Sequence, residues 1–180
     1  MQATQFAATA QAAGVSVDDL VGTASALSEG SPLTGGEISQ WAASASATSQ
    51  YSDRGWSALQ ALGPPNTLFC GDMDTAWASA TASGIDTLTL TYGVAVMPTR
   101  LVVHESYNPG AITRIVLVDE AGIEHTVYTA QPAIAAACPN QFAITISTVR
   151  TRVNTVLITV DQSAHSGWNE IDAVELIGIR

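Results

Sequence analysis

The chain has 180 residues, and 16 acidic side chains against 6 basic ones give it a formal charge of -10. Every basic residue is Arg and Lys is absent, a balance that repels phosphate backbones and anionic membrane surfaces, so neither nucleic acid binding nor membrane insertion is expected. The length allows one well-packed domain plus an extension, and no apolar run reaches the roughly 18 residues of a membrane span.

Residues 1–36 are rich in Ala, Gly, Ser and Thr and read as an N-terminal extension or linker. Met1 to Gly14 lacks the positive start and continuous apolar stretch of a signal peptide, so an export leader, if the protein uses one, is expected to lie outside this sequence. Within the extension Ser16 precedes Asp19 by three positions, and Val17, Leu20, Val21, Ala24 and Leu27 recur at helical spacing up to Gly30. That pattern predicts one short capped helix.

From Glu37 to the end, short runs of Val, Ile, Thr and aromatics alternate with Gly, Pro, Asn and Asp, which is strand and turn patterning. The predicted strands cover Ile38 to Ser49, Ala76 to Ala82, Asp86 to Tyr92, Arg100 to Tyr107, Ile112 to Asp119, His125 to Thr129, Phe142 to Ser147, Asn154 to Asp161 and Ile171 to Ile179. Strands at this spacing, without amphipathic helices between them, argue for an all-β antiparallel sandwich or jelly roll over residues 37–180. Asn108-Pro109-Gly110 and Glu120-Ala121-Gly122 each separate two runs and are expected to close hairpins. One helical turn is expected from Ser57 to Leu62, stopped by Gly63 and Pro64, inside a long loop of the kind that usually carries function.

The two cysteines, Cys70 and Cys138, lie in loop-like sequence beside Gly71 and Pro139. An even count in that setting favours a disulfide and a compartment outside the reducing cytosol, the alternative being two unpaired small hydrophobes. With no His neighbours they make no zinc pattern.

Four blocks carry a resemblance: Tyr51 to Gly63 (YSDRGWSALQALG), Cys70 to Ser79 (CGDMDTAWAS), His104 to Ala111 (HESYNPGA) and Trp168 to Gly178 (WNEIDAVELIG). In this order the chain resembles the galactose-binding-like superfamily, which includes discoidin or coagulation-factor type C domains and related carbohydrate-binding modules. The resemblance spans about Glu37 to Gly178. It implies a jelly-roll β-sandwich, recognition of sugars or lipid headgroups by loops at one end, and a structural calcium ion near the loop that holds Thr75-Ala76-Trp77. In that loop family members read Asp-Gly-Asn, two residues, then Thr-x-Trp. Here Thr75 and Trp77 match, Asp72 takes the Asn place, and Cys70 replaces the leading Asp, which removes one carboxylate from the calcium set.

Calcium takes about six to eight hard oxygens, and the candidates are Asp72, Asp74, Thr75, Glu170 and Asp172. Sugar binding asks for flat aromatic faces and a few fixed polar atoms. Tyr51, Trp56, Tyr107 and Trp168, with Asp53, Arg54, Asn108 and Asn169, fall in loops or at strand ends and are the candidate ligand residues. Trp41 and Trp77 lie within strand-like runs and are expected in the core. His104, His125 and His165 join no catalytic motif and are expected at the surface or rim.

The function these observations predict is a non-catalytic extracellular or cell-surface module that binds a glycan, or another surface ligand, through loops at one end of the sandwich. A second reading makes the chain a structural or adhesive subunit of a surface assembly, self-associating through its N-terminal extension. An enzyme is not expected.

Overall fold

The computed structural model describes residues 36–164 and 166–180. The extension, its predicted helix and His165 lie outside the described residues. Eight strands follow in chain order: β1 (Glu37–Trp41), β2 (Ser44–Ala47), β3 (Ile85–Tyr107), β4 (Ile112–Asp119), β5 (Glu124–Thr129), β6 (Asn140–Thr145), β7 (Val153–Asp161) and β8 (Glu170–Ile179). All pairings are antiparallel.

The strands form two layers of a sandwich. One layer runs β6, β3, β8, β1 and the other β2, β3, β7, β4, β5. β3 belongs to both because it bends: Ile85 to Thr91 pair with β7 in one layer, and Met97 to Tyr107 pair with β8 in the other, with the register shifting between Thr91 and Val96. Asp86 to Tyr92 and Arg100 to Tyr107, predicted as separate strands, are therefore the two limbs of one element. The bend falls between Thr91 and Val96, a stretch that contains Gly93.

Alternation explains the core. Leu88 and Leu90 on one limb of β3 face Leu101 and Val103 on the other, joined by Ile115 and Leu117 of β4, Val156 and Ile158 of β7 and Val174 and Leu176 of β8. Each points inward by the period of two that a pleated strand imposes. Trp77 is completely buried, as expected. Trp41 is not a core residue: it is half-buried on the outer face beside His104, ring centroids 5.6 Å apart, because the inward positions of the edge strand β1 are the alternate ones.

Three further expectations change. Ile38 to Ser49 splits into β1 and β2, since β1 pairs with β8 and β2 with β3, in different layers. Ala76 to Ala82 is not a strand. Only Trp77 bridges, exchanging backbone bonds of 2.8 and 3.0 Å with Ile171, after which Ser79 Oγ donates to the Thr81 carbonyl at 2.8 Å and competes with a ladder. Asn108-Pro109-Gly110 does not close a hairpin. β4 pairs with β5 and β7, so this turn carries the chain across from one layer to the other. Its carbonyls at Pro109 and Gly110 accept from Ala135 and Ala133, both at 2.9 Å. Gly110 is at φ 108°, and a Cβ there would lie 1.8 Å from the Ala133 carbonyl oxygen, so only glycine fits. Glu120-Ala121-Gly122 does close the β4–β5 hairpin, with Gly122 at φ 79°.

The bend in β3 decides where the loops gather. Its two ends, Ile85 and Tyr107, pair with Asp161 and Glu170, which are joined by residues 162–169. Residues 48–84, 108–111, 162–164 and 166–169 are thereby brought to one end of the sandwich. The first of these contains a 3-10 turn, Ala58–Ala61, where the helical turn was predicted.

Candidate functional site

At that end Tyr51, Trp56, Asp72, Ala78, Trp168 and Glu170 line a cleft of about 130 Å³. Tyr51 and Trp56 come from the start of the long loop, Asp72 and Ala78 from its later part, Trp168 from the segment before β8 and Glu170 from the first position of β8. Segments far apart in sequence are held together by backbone bonds: Tyr51 N–H to the Ala78 carbonyl at 2.9 Å, Trp56 N–H to Asp74 at 3.1 Å, and Ala78 N–H to Trp56 at 3.2 Å. Ala78 was assigned to a strand. It instead lies in the cleft lining.

The aromatic rings form one cluster. Tyr51 lies edge-on to Trp56 at 5.3 Å and to Trp168 at 5.4 Å, with interplanar angles of 70° and 85°. Such edge-to-face pairs are favoured by the ring quadrupoles. Both indole N–H groups are satisfied within the protein, Trp56 Nε1 by Asp72 Oδ1 at 3.0 Å and Trp168 Nε1 by the Ser79 carbonyl at 2.9 Å. Tyr51 is 53% exposed, so the cluster is open to solvent.

Asp72 is exposed, whereas Glu170 is completely buried. Glu170 Oε2 accepts the Met73 N–H at 3.1 Å, and Oε1 has no hydrogen-bond partner among the described residues. Burial pushes the Glu170 carboxyl up to about 8, with the neighbouring Asp72 adding to the rise against the pull of the Met73 N–H and the Trp56 indole.

The other candidate ligand residues fall outside the cleft lining. Asn169 is buried and donates to Glu105 Oε1 at 3.1 Å and to the Asn108 carbonyl at 3.0 Å. Asn108, at φ 42°, donates to the Trp168 carbonyl at 2.9 Å. Tyr107 is half-buried opposite Glu170 in the β3–β8 register. Asp53 and Arg54 are exposed; Asp53 accepts from Gln50 at 3.1 Å, and the Arg54 carbonyl accepts from Ser57 and Gln60.

The five residues named for calcium divide. Asp172 is buried and receives the N–H groups of Asn66 and Thr67 at 3.0 to 3.3 Å. Thr75 Oγ1 pairs with Thr67 Oγ1 at 2.6 Å. Asp74 is exposed beside Gly55. Asp72 and Glu170 line the aromatic cleft. Among the described residues no three His, Cys, Asp or Glu side chains are grouped to hold a metal ion.

One structural support at this end of the sandwich went unread in the sequence. Glu105, buried at the end of β3, accepts from Gly110 N–H at 2.9 Å, Asn169 at 3.1 Å and Asn140 at 3.0 Å, and so ties together the layer-crossing turn, the start of β8 and the start of β6. Its neighbour His104 is half-buried, and that burial lowers its pKa. Cys70 and Cys138 are joined in a disulfide, which fastens the cleft loop to the segment before β6. No helix among the described residues is long and apolar enough to cross a membrane.

Solved structures share this architecture. The chitosan-binding module 1 of a Paenibacillus sp. IK-5 chitosanase/glucanase aligns with a TM-score of 0.56 and 19% identity, over 75% of this chain and 94% of that one. The family 32 carbohydrate-binding module of C. perfringens NanJ, solved with galactose, aligns at 0.57 and 19%, over 78% and 99%. The lectin domain of Lectinolysin, complexed with Lewis b, aligns at 0.56 and 10%, over 76% and 93%. At these identities the likeness is one of fold. None of the curated proteins compared matches the sequence. The family model described as Pappalysin-1, SD scarf domain, C-terminal matches residues 31–180, and the chain, which shares the β-sandwich fold of those solved modules, belongs to that family.

Proposed function

We propose that this chain is a non-catalytic, extracellular glycan-recognition module whose binding site is the cleft between Tyr51, Trp56 and Trp168. The observation that carries this reading is the cleft itself. Three aromatic side chains, their indole N–H groups already engaged, surround a solvent-open recess with two carboxyl groups in its lining. Aromatic rings stack on the C–H faces of a sugar and the carboxyls accept from its hydroxyls. Support also comes from the fold, since neighbours with this sandwich are modules solved as chitosan-binding or with galactose or Lewis b. The disulfide fits an oxidising compartment outside the cell. In this reading the long loop is held by the disulfide and by backbone N–H groups on Asp172 and Glu170, with no calcium ion required.

A glycan array probed with the folded protein tests the reading. Binding to a defined glycan class that is lost in Trp56→Ala and Trp168→Ala is the expected result. No binding, or binding that both variants retain, overturns it.

A further inference from the structure

Of the six side chains lining the cleft, three are aromatic, two carry carboxyl groups and none is basic. Glu170 is the unusual member. It is completely buried, it lines the recess, and its Oε1 finds no donor among the described residues. A buried carboxyl oxygen left without a donor is unfavourable, and the deficit is met either by a proton held on the pair with Asp72 or by a donor that a ligand brings. A ligand bearing its own positive donor supplies the second.

We propose that the cleft selects a sugar with a free ammonium group, a 2-amino-2-deoxyhexose in preference to its N-acetylated form, with the ammonium held by Asp72 and Glu170 against the aromatic cluster. The inference rests on the glycan-binding reading and narrows it to a substrate class. An ammonium offers three donors and no acceptor, which matches a lining of carboxylate acceptors without a competing cation. Bonds between ammonium and carboxylate are charge-assisted and stronger than those of a neutral hydroxyl or amide. The indole and phenol rings beside the carboxyls add cation–π attraction, and the net charge of -10 favours approach of a cationic chain. An N-acetyl group brings no charge and one acceptor oxygen, which the carboxyls repel.

The test is calorimetric titration of the full chain, at slightly acid pH, with a glucosamine oligosaccharide, its fully N-acetylated counterpart and a neutral galactose oligosaccharide. The amino form is expected to bind at least about tenfold more tightly than either neutral sugar. Glu170→Gln keeps an acceptor for Met73, and Asp72→Asn keeps one for Trp56. Each is expected to remove that preference, with melting curves showing that both variants fold. Neutral sugars binding as well as the amino form, or a preference that survives both substitutions, overturns the ammonium proposal and leaves the glycan reading standing. An absence of binding by all three, together with an empty glycan array, overturns both. The comparison of sugars on the unmodified protein decides the matter even where a variant fails to fold.

Discussion

Trp56 and Asp72 are joined by a 3.0 Å hydrogen bond from the indole N–H to Oδ1 across 16 residues of the long loop. The bond aims the Trp56 ring into the cleft while its backbone sits at φ 54°, a left-handed conformation that costs a bulky residue about 1–2 kcal/mol. Backbone bonds to Asp74 and Ala78 hold the strained residue in place. Asp72→Ala leaves these intact and frees the indole. Because the lost bond is exposed, stability is expected to fall by less than about 1 kcal/mol, while tryptophan fluorescence shifts to the red and glycan affinity drops. Asp72→Asn, which keeps the acceptor, is expected to leave the fluorescence unchanged.

Trp168 meets Tyr51 and donates to Ser79, so Trp168→Ala removes both an aromatic wall and a loop anchor. Loss of such a central aromatic typically costs on the order of 2 kcal/mol in binding, or about thirtyfold in affinity. Titration with the best ligand from the array measures it. Trp41→Ala, on the outer face of the other half of the layer, is expected to leave that affinity unchanged.

The disulfide closes a loop over a separation of 68 residues. On the chain-entropy account, a bridge of that span contributes about 4 kcal/mol by restricting the unfolded chain. Cys70→Ser with Cys138→Ser, or reduction, is expected to lower the denaturant midpoint accordingly. A change below about 1 kcal/mol would show that the ends of this loop are held equally well without it.

Two carboxyls make stability depend on pH in opposite senses. Asp119 is held below its usual value by its hydrogen bond to His125 first, then by N–H groups of Ile123 and Ala121. A depressed carboxyl stabilises the fold above its unfolded value, and that contribution is lost as acid protonates it in the folded state. Glu170 is raised from 4.5 to about 8, so folding binds a proton there. Its contribution is complete below 4.5 and is lost as the pH rises through about 8. Glu170→Gln is therefore expected to gain melting temperature relative to the unmodified protein as pH rises through that window, and to show no such gain at the acid end. Melting curves across the range, with Asp119→Asn flattening only the acid limb, check both.

Asp172 accepts the backbone N–H groups of Asn66 and Thr67, which hold the loop on this carboxylate without a cation. Adding calcium to chelator-treated protein is accordingly expected to leave the melting temperature unchanged. A rise that Asp172→Asn abolishes would show that the loop rearranges to gather a cation.

The β-sandwich was legible in the sequence because alternation is a local property. Ile112 to Asp119 and Asn154 to Asp161 announce which face is buried wherever they pair. Trp56 and Trp168 were legible as loop residues, and so as candidates for the cleft they line, for a related reason, since large aromatics beside Gly, Asn and Asp in loop sequence rarely have a strand to pack in. Pairing partners were not legible. Nothing local distinguishes Asn108-Pro109-Gly110, which crosses between layers, from Glu120-Ala121-Gly122, which closes a hairpin, because both satisfy the same turn chemistry.

The roles of the polar residues were decided only by the tertiary structure. Glu170 and Asp172 alternate on β8 and look alike in sequence, yet one lines an aromatic cleft with an oxygen unpartnered among the described residues and the other accepts the N–H groups of Asn66 and Thr67. Asn169, next to Glu170, is buried and turns its amide inward to Glu105. What a carboxyl or an amide does depends on which donors the fold brings within about 3 Å, and those donors come from loops a hundred residues away, as Asn66 does for Asp172 across a separation of 106. The sequence by itself determined the strand-and-turn character, most of the inward faces and the residue types from which a site could be built. The bend in β3, by bringing three loops to one end, decided which of them meet.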